Sequence, residues 1–284
     1  MKEQTIITNN CKTNHVVEFN SITEFYDYIC KTPINEVFRW KELSSSKPNE
    51  NNWYGTDSFE EATQLLKSGC EDISKKLNQK LNVNKIDTEL EKHIKTIFDV
   101  QGFQCCVPLY LQGVPTNMIS KKVISVKQKV ITINKMVTYN CFTTSEQIIE
   151  ESVKALQIIK KIESQGIRCN LNILYGSEES IKNKTRIICK IRVKNANERL
   201  NISKLSFCLV HPSMLRRLLF RFVEVYPNVT KYFVFGYGKA VTDKYQIQDL
   251  IEKLNSDTEY YIPSILNVDI NSIKSLNDLQ LATK

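Results

Sequence analysis

An α/β fold, with a mixed sheet flanked by helices and a smaller helix-rich N-terminal part, is what three observations predict. Helical and strand patterns alternate between residues 121 and 255, the signature of a layered α/β arrangement. The strongest helical periodicity, Thr144 to Gln165, lies between two β-branched runs, Val130 to Ile133 and Ile167 to Leu174. The chain has 284 residues, 42% hydrophobic and 25% charged, which suits a folded chain large enough to bury a sizeable core. That composition excludes collagen-like and disordered classes.

The elements follow in order. Ser21 with Glu24 forms a capping box for a helix that carries Phe25 and Ile29 and stops before Pro33. Residues 44–52 read as a polar loop. In Trp53-Tyr-Gly-Thr-Asp-Ser-Phe-Glu-Glu-Ala62, two capping registers are open, Asp57 with Glu60 and Ser58 with Glu61. The helix ends at Gly69, and a second is predicted over 71–81. Turns dominate 97–120. Lys121 to Lys135 reads as one or two strands. Thr144 caps the long helix with Gln147 at its third position, and Gly166 ends it. A strand over 167–174, a loop over 175–184 and a strand over 185–194 follow. Leu205 to Val210 reads as a strand, Met214 to Val225 as a helix, Tyr232 to Phe235 as a strand, and Gln246 to Leu254 as a helix. The predicted division is 1–120, a helix-rich N-terminal region; 121–260, an α/β core domain; and 261–284, a polar tail.

Charge is concentrated. The net charge is +8, yet the segment 182–221 holds eleven Lys/Arg and one acid, leaving the remainder at −2. In Thr185 to Lys194, Ile187, Cys189, Ile191 and Val193 alternate with Arg186, Ile188, Lys190, Arg192 and Lys194. The alternation predicts a strand with one buried face and a row of cations on the other. Such a row suits a phosphate backbone or an acidic protein surface, and equally an edge strand kept soluble by its charges. On the helix 214–225, Arg216, Arg217, Arg221 and Phe220 share the polar half. An ion-pair network with Glu224 explains part of that face, and an interface anchored by Phe220 is the other reading.

Catalytic and metal-binding signatures are thin. There are nine Cys with no CxxC spacing, and Cys169, Cys189 and Cys208 sit in apolar runs as reduced core thiols would. The turn Gly236-Tyr-Gly-Lys239 departs from a phosphate loop, because Phe233 and Ala240 stand where Gly and Ser/Thr belong. His211, beside Pro212, reads as a turn or core-edge residue. A Cys–His pair meeting only in space stays open. No apolar run reaches the roughly 20 residues of a membrane helix, and the first ten residues lack a signal-type apolar stretch. A cytoplasmic protein without membrane contact, cofactor or bound metal is expected.

The strand 130–133 followed by the long helix resembles the layer of von Willebrand A-type domains. Their metal motif, Asp-x-Ser-x-Ser, is replaced by Asn134-Lys-Met-Val-Thr138, so the likeness implies the fold pattern alone. Trp53 to Ala62, Gly113-Val-Pro-Thr-Asn-Met118 and His211-Pro-Ser-Met-Leu-Arg-Arg-Leu218 together resemble an uncharacterised family of tailed-bacteriophage proteins, over about 53–225. That resemblance implies a setting, the host bacterial cytoplasm or the virion, and no catalytic residue. The resulting expectation is a non-enzymatic interaction factor with a phage or host protein as partner. The alternative is a nucleic-acid-binding protein using 182–221. In both, the contact residues are Arg186, Lys190, Arg192, Lys194, Arg216, Arg217, Phe220 and Arg221. Self-association is left open.

Overall fold

The computed structural model describes residues 1–9, 11–38, 42–83, 94–123, 130–164, 166–179, 184–229, 233, 237–254 and 259–266. The strands are β1 (Lys2–Ile7), β2 (Thr13–Phe19), β3 (Ile94–Asp99), β4 (Gln104–Cys105), β5 (Met118–Val123), β6 (Val130–Met136), β7 (Arg168–Glu178), β8 (Thr185–Lys194), β9 (Lys239–Ala240) and β10 (Glu259–Ile262). The helices are α1 (Ile22–Lys31), α2 (Phe59–Ser68), α3 (Glu71–Val83), α4 (Val107–Leu111), α5 (Ser145–Ser164), α6 (Ile202–Val210), α7 (Phe220–Val225) and α8 (Gln248–Lys253).

A seven-stranded mixed sheet forms the centre, in the order β1-β2-β8-β7-β6-β10, with β9 beside the far end of β7. The pairs β2–β8, β7–β6 and β6–β10 are parallel, while β1–β2 and β8–β7 are antiparallel. The fold is therefore the α/β class with a mixed sheet flanked by helices. One face carries the larger core, in which Phe19, Ile133, Ile173, Cys189 and Ile191 meet Phe25, Leu156, Ile159, Phe207 and Phe222. The other face is covered by α8, which seats Leu250 and Ile251 on Val16, Met136, Leu174 and Ile188.

Local chemistry sets the helix starts. Ser21 Oγ accepts from Glu24 N, and the Glu24 carboxylate accepts from Asn20 N, one residue ahead of the cap, a variant of the capping box. Of the two registers at the next helix, Ser58 with Glu61 is adopted. Ahead of α5 the exchange is fully reciprocal, with Thr144 N donating to Gln147 Oε1 and Gln147 N to Thr144 Oγ1.

The fold departs from expectation in several places. β1 and β2, from the first 20 residues, are part of the central sheet, so a boundary at 120 does not separate N-terminal helices from the sheet. β8 lies third in the sheet, between β2 and β7, not at an edge. Leu205–Val210 belongs to a helix, capped by Asn201, whose side chain accepts from Lys204 N. Its six residues are all buried, and an element buried on every side loses the periodicity that separates helix from strand. β6 runs on to Met136 and β7 to Glu178. β10 crosses the boundary drawn at 261. The strand expected at 232–235 falls outside the described residues except for Phe233, and so do 267–284 of the tail.

Residues 94–123 form a second, three-stranded antiparallel sheet, β3-β5-β4, carrying α4. The motif Gly113 to Met118 lies here, where Asn117 donates to Val114 O and accepts at its own carbonyl from Cys106 N.

Candidate functional site

The cation row of β8 is turned inward. Arg186 is buried and bonds Glu178 and Asp249, each at 2.9 Å, while Lys12 reaches Glu178 at 2.5 Å. Burial pushes the Glu178 carboxyl up, and the bonds from Lys12 and Arg186 overcome it and hold it below the usual range. Lys190 bonds Glu259 at 2.8 Å and lies 3.6 Å from Glu18. Arg192 donates to Asn172 Oδ1, and Asn172 passes a bond to Asn134, which donates to Glu259. Lys194 is buried against Glu163, Cys169 O and Asn195 O. Asp249 of α8 and Glu259 of β10 neutralise Arg186 and Lys190, whereas the acid on Lys194 comes from α5.

Arg216 and Arg217 are also buried, on a π-helical turn over Met214–Leu219 that leads into α7. Arg217 donates to the carbonyls of Ser45 and Lys47 from one nitrogen and of Thr56 and Asp57 from another, with its guanidinium 4.1 Å over the Tyr54 ring. Arg216 donates to Trp53 O and Thr143 O and stacks 4.2 Å over Trp53. Arg221 lies 3.6 Å from the buried Glu224. Thr56 Oγ1 meets Ser213 Oγ at 2.9 Å, and Ser213 donates to Tyr54 O. Gly55 has φ +78°, and a Cβ there would lie 2.5 Å from Pro212. The two conspicuous motifs, 53–62 and 211–218, thus pack on each other as one unit.

That unit forms one wall of a cavity of about 670 Å³ at the carboxyl end of β6, the end of an open α/β sheet where ligands gather. The floor is the end of β7, with Tyr175 and Ser177, and the opposite wall is the loop after β6, Thr138 to Phe142. An aromatic ladder runs along the wall. Phe38 stacks on Tyr237 at 5.9 Å, Tyr237 on Phe220 at 4.3 Å and 3°, and Phe220 meets Trp53 at 6.4 Å. Phe142, 92% exposed, stands at the lip. Lys239 is exposed on the rim, and Glu42 and Lys47 pair there at 2.9 Å.

Tyr237 holds the ladder in place under strain. Its φ is +62°, a conformation that costs a side-chain-bearing residue on the order of 1 kcal/mol or more. Its hydroxyl donates to Glu224, which also accepts from Ser45 N and Oγ, and its carbonyl accepts from Ser177 Oγ. A Cβ on the next residue, Gly238, would collide with Ser177 and come within 2.6 Å of Glu178 O. Close approach to β7 accounts for that glycine without a phosphate.

Of the predicted contact residues, the cavity wall brings together Arg216 and Phe220, while Arg217 and Arg221 stand behind it. The row on β8 is not part of it. Sequence reading missed Phe38, Trp53, Phe142 and Tyr237 as partners. The Gly-Tyr-Gly turn was the available signal for Tyr237, because a positive φ is rare outside glycine. His211 is a core-edge residue: burial pushes its imidazole down to about 4, its ring stacks on Phe207, and Nδ1 accepts from Ser213 N. Cys169, Cys189 and Cys208 are buried, and burial raises the first and last to about 12. Cys11, Cys30, Cys105 and Cys141 are exposed. Among the described residues no group of three or more His, Cys, Asp or Glu is placed to hold a metal ion, and no helix is long and apolar enough to cross a membrane.

Fold and cavity define an α/β protein with an aromatic-walled cavity at one end of its sheet. The chain belongs to the family described as a domain of unknown function (DUF7192), whose model matches residues 3–279. No curated protein and no solved structure matches it.

Proposed function

We propose that this chain is a protein-interaction factor that receives an aromatic or apolar side chain of a partner protein in the cavity at the end of β6. The observation that carries the reading is the ladder Phe38–Tyr237–Phe220–Trp53, together with Phe142 at the lip. Aromatic and Arg side chains in a desolvated pocket are what concentrates binding energy at protein interfaces. The arrangement supplies stacking surface and rim charge. The setting that the motif resemblance implies is a tailed bacteriophage, with a virion or host protein as partner and the host cytoplasm as location.

The nucleic-acid reading draws less support. Arg186, Lys190 and Lys194 already spend their charge on Glu178, Asp249, Glu259 and Glu163. Phosphate binding by those side chains would have to break ion pairs that are largely shielded from water.

Affinity capture with cavity variants tests the proposal. An affinity-tagged chain is incubated with lysate from cells in which its gene is expressed, and captured proteins are quantified for the wild type and for Trp53→Ala and Phe142→Ala. A partner that both substitutions lose, while Tyr245→Ala on the other side of the sheet retains it, supports the reading. Capture that is indifferent to both cavity substitutions refutes it.

A further inference from the structure

The small sheet at 94–123 has no core of its own among the described residues. From Lys95 to Lys122 not one side chain is buried. Phe98, Val100, Phe103, Val107, Tyr110 and Leu111 are each more than half exposed. Three strands are independently stable only with an apolar face to cover. Phe98 on β3 and Val100 just beyond it carry this exposed apolar surface up to the free edge of the sheet.

The outer strand β3 carries a pattern that fits its own copy. Among the described residues its free edge has no partner strand. Its sequence, Ile94-Lys-Thr-Ile-Phe-Asp99, places Lys95 and Asp99 two residues either side of Ile97, so both lie on one face. Within the sheet Lys95 stands directly opposite Lys122, a like-charge pair that weakens the ladder. Asp99 is the sole carboxylate between 94 and 123.

We infer that β3 pairs antiparallel with β3 of a second copy, across a two-fold axis through Ile97. In that register each Lys95 faces Asp99 of the partner subunit, and each Thr96 faces Phe98 of the partner subunit. The contact is isologous, so both charge pairs form at once. The acid beside Lys95 offsets its repulsion from Lys122, and two three-stranded sheets become one of six strands. A shift of one residue in register breaks both charge pairs and turns Phe98 to face a different neighbour.

Charge exchange on the full chain tests this. Light scattering or sedimentation over a dilution series is expected to show a dimer. Lys95→Asp sets acid against acid and Asp99→Lys sets base against base, and each raises the dissociation constant about tenfold or more. Lys95 is exposed and Asp99 half-buried, accepting from the Val100 N–H beside it, and an unchanged circular dichroism spectrum shows that the variants remain folded. Mixed in equal amounts, the two variants form a heterodimer in which every charge meets its opposite. A wild type that stays monomeric at every concentration, single variants that dimerise as the wild type does, or a mixture no tighter than its components overturns the inference.

Discussion

Replacing Arg217 by Met isolates the contact that ties the loop 42–57 to the cavity. Arg217 is fully buried and bonds the carbonyls of Ser45, Lys47, Thr56 and Asp57 at 2.9, 2.6, 2.8 and 3.2 Å. Methionine fills much of the same volume and donates nothing. A hydrogen bond from a charged donor contributes about 1.5–3 kcal/mol, which would sum for four to more than this site can deliver. Removing the guanidinium also removes the cost of burying its charge, so the expected loss is about 3–5 kcal/mol. Arg217→Lys keeps the charge and loses the fork, and is expected to recover only a minor part. Urea unfolding reads the loss as a lower midpoint at unchanged slope. Hydrogen exchange should show faster opening over 42–57 than over α5. A loss below about 1 kcal/mol, or exchange over 42–57 equal to the wild type, would refute this role of Arg217.

Three further outcomes follow from buried groups and backbone. The His211 imidazole is held near 4 in the folded chain, against 6.5 unfolded, so the unfolded chain binds more protons between those values. Stability therefore falls as pH drops from 6.5 through 4, by about 3 kcal/mol in all, and His211→Phe should flatten that limb in acid denaturation. Lys135 is buried, donates to Pro263 O and Ser264 O, and is pushed down to about 7 by burial, with Glu151 opposing. Its unfolded value is 10.5, so stability rises with pH between about 7 and 10.5, and Lys135→Met should remove that rise in alkaline melts. Gly55→Ala adds a Cβ against Pro212 at a positive φ, and calorimetry should find it destabilised by about 1–3 kcal/mol.

Much of the layer was legible because its signals are local. Ser21–Glu24, Ser58–Glu61 and Thr144–Gln147 mark helix starts within four residues, and β8 coincides with the predicted strand from Thr185 to Lys194. What stayed hidden depends on distance along the chain. The acids that neutralise Arg186 come from positions 178 and 249, on β7 and α8, and no charge count over 182–221 can register them. The same holds for β1 and β2, whose place beside β8 needs a pairing across some 170 residues. Leu205–Val210, the second half of α6, reads as a strand because its complete burial erases the amphipathic stripe, although Asn201 is an available cap. For the cavity, Phe220 was singled out as an anchor, yet its stacking partners come from 38, 53 and 237, and only the fold brings them together.

The most direct test of the cavity is photo-crosslinking from its lip. A benzophenone side chain is placed at Phe142, which is 92% exposed, and a control at Tyr245, 62% exposed on the α8 side. After irradiation in cells, position 142 is expected to give a discrete protein adduct that position 245 does not, and Trp53→Ala should abolish it. No adduct at 142, the same adducts from both positions, or an adduct with nucleic acid in place of protein would contradict the account.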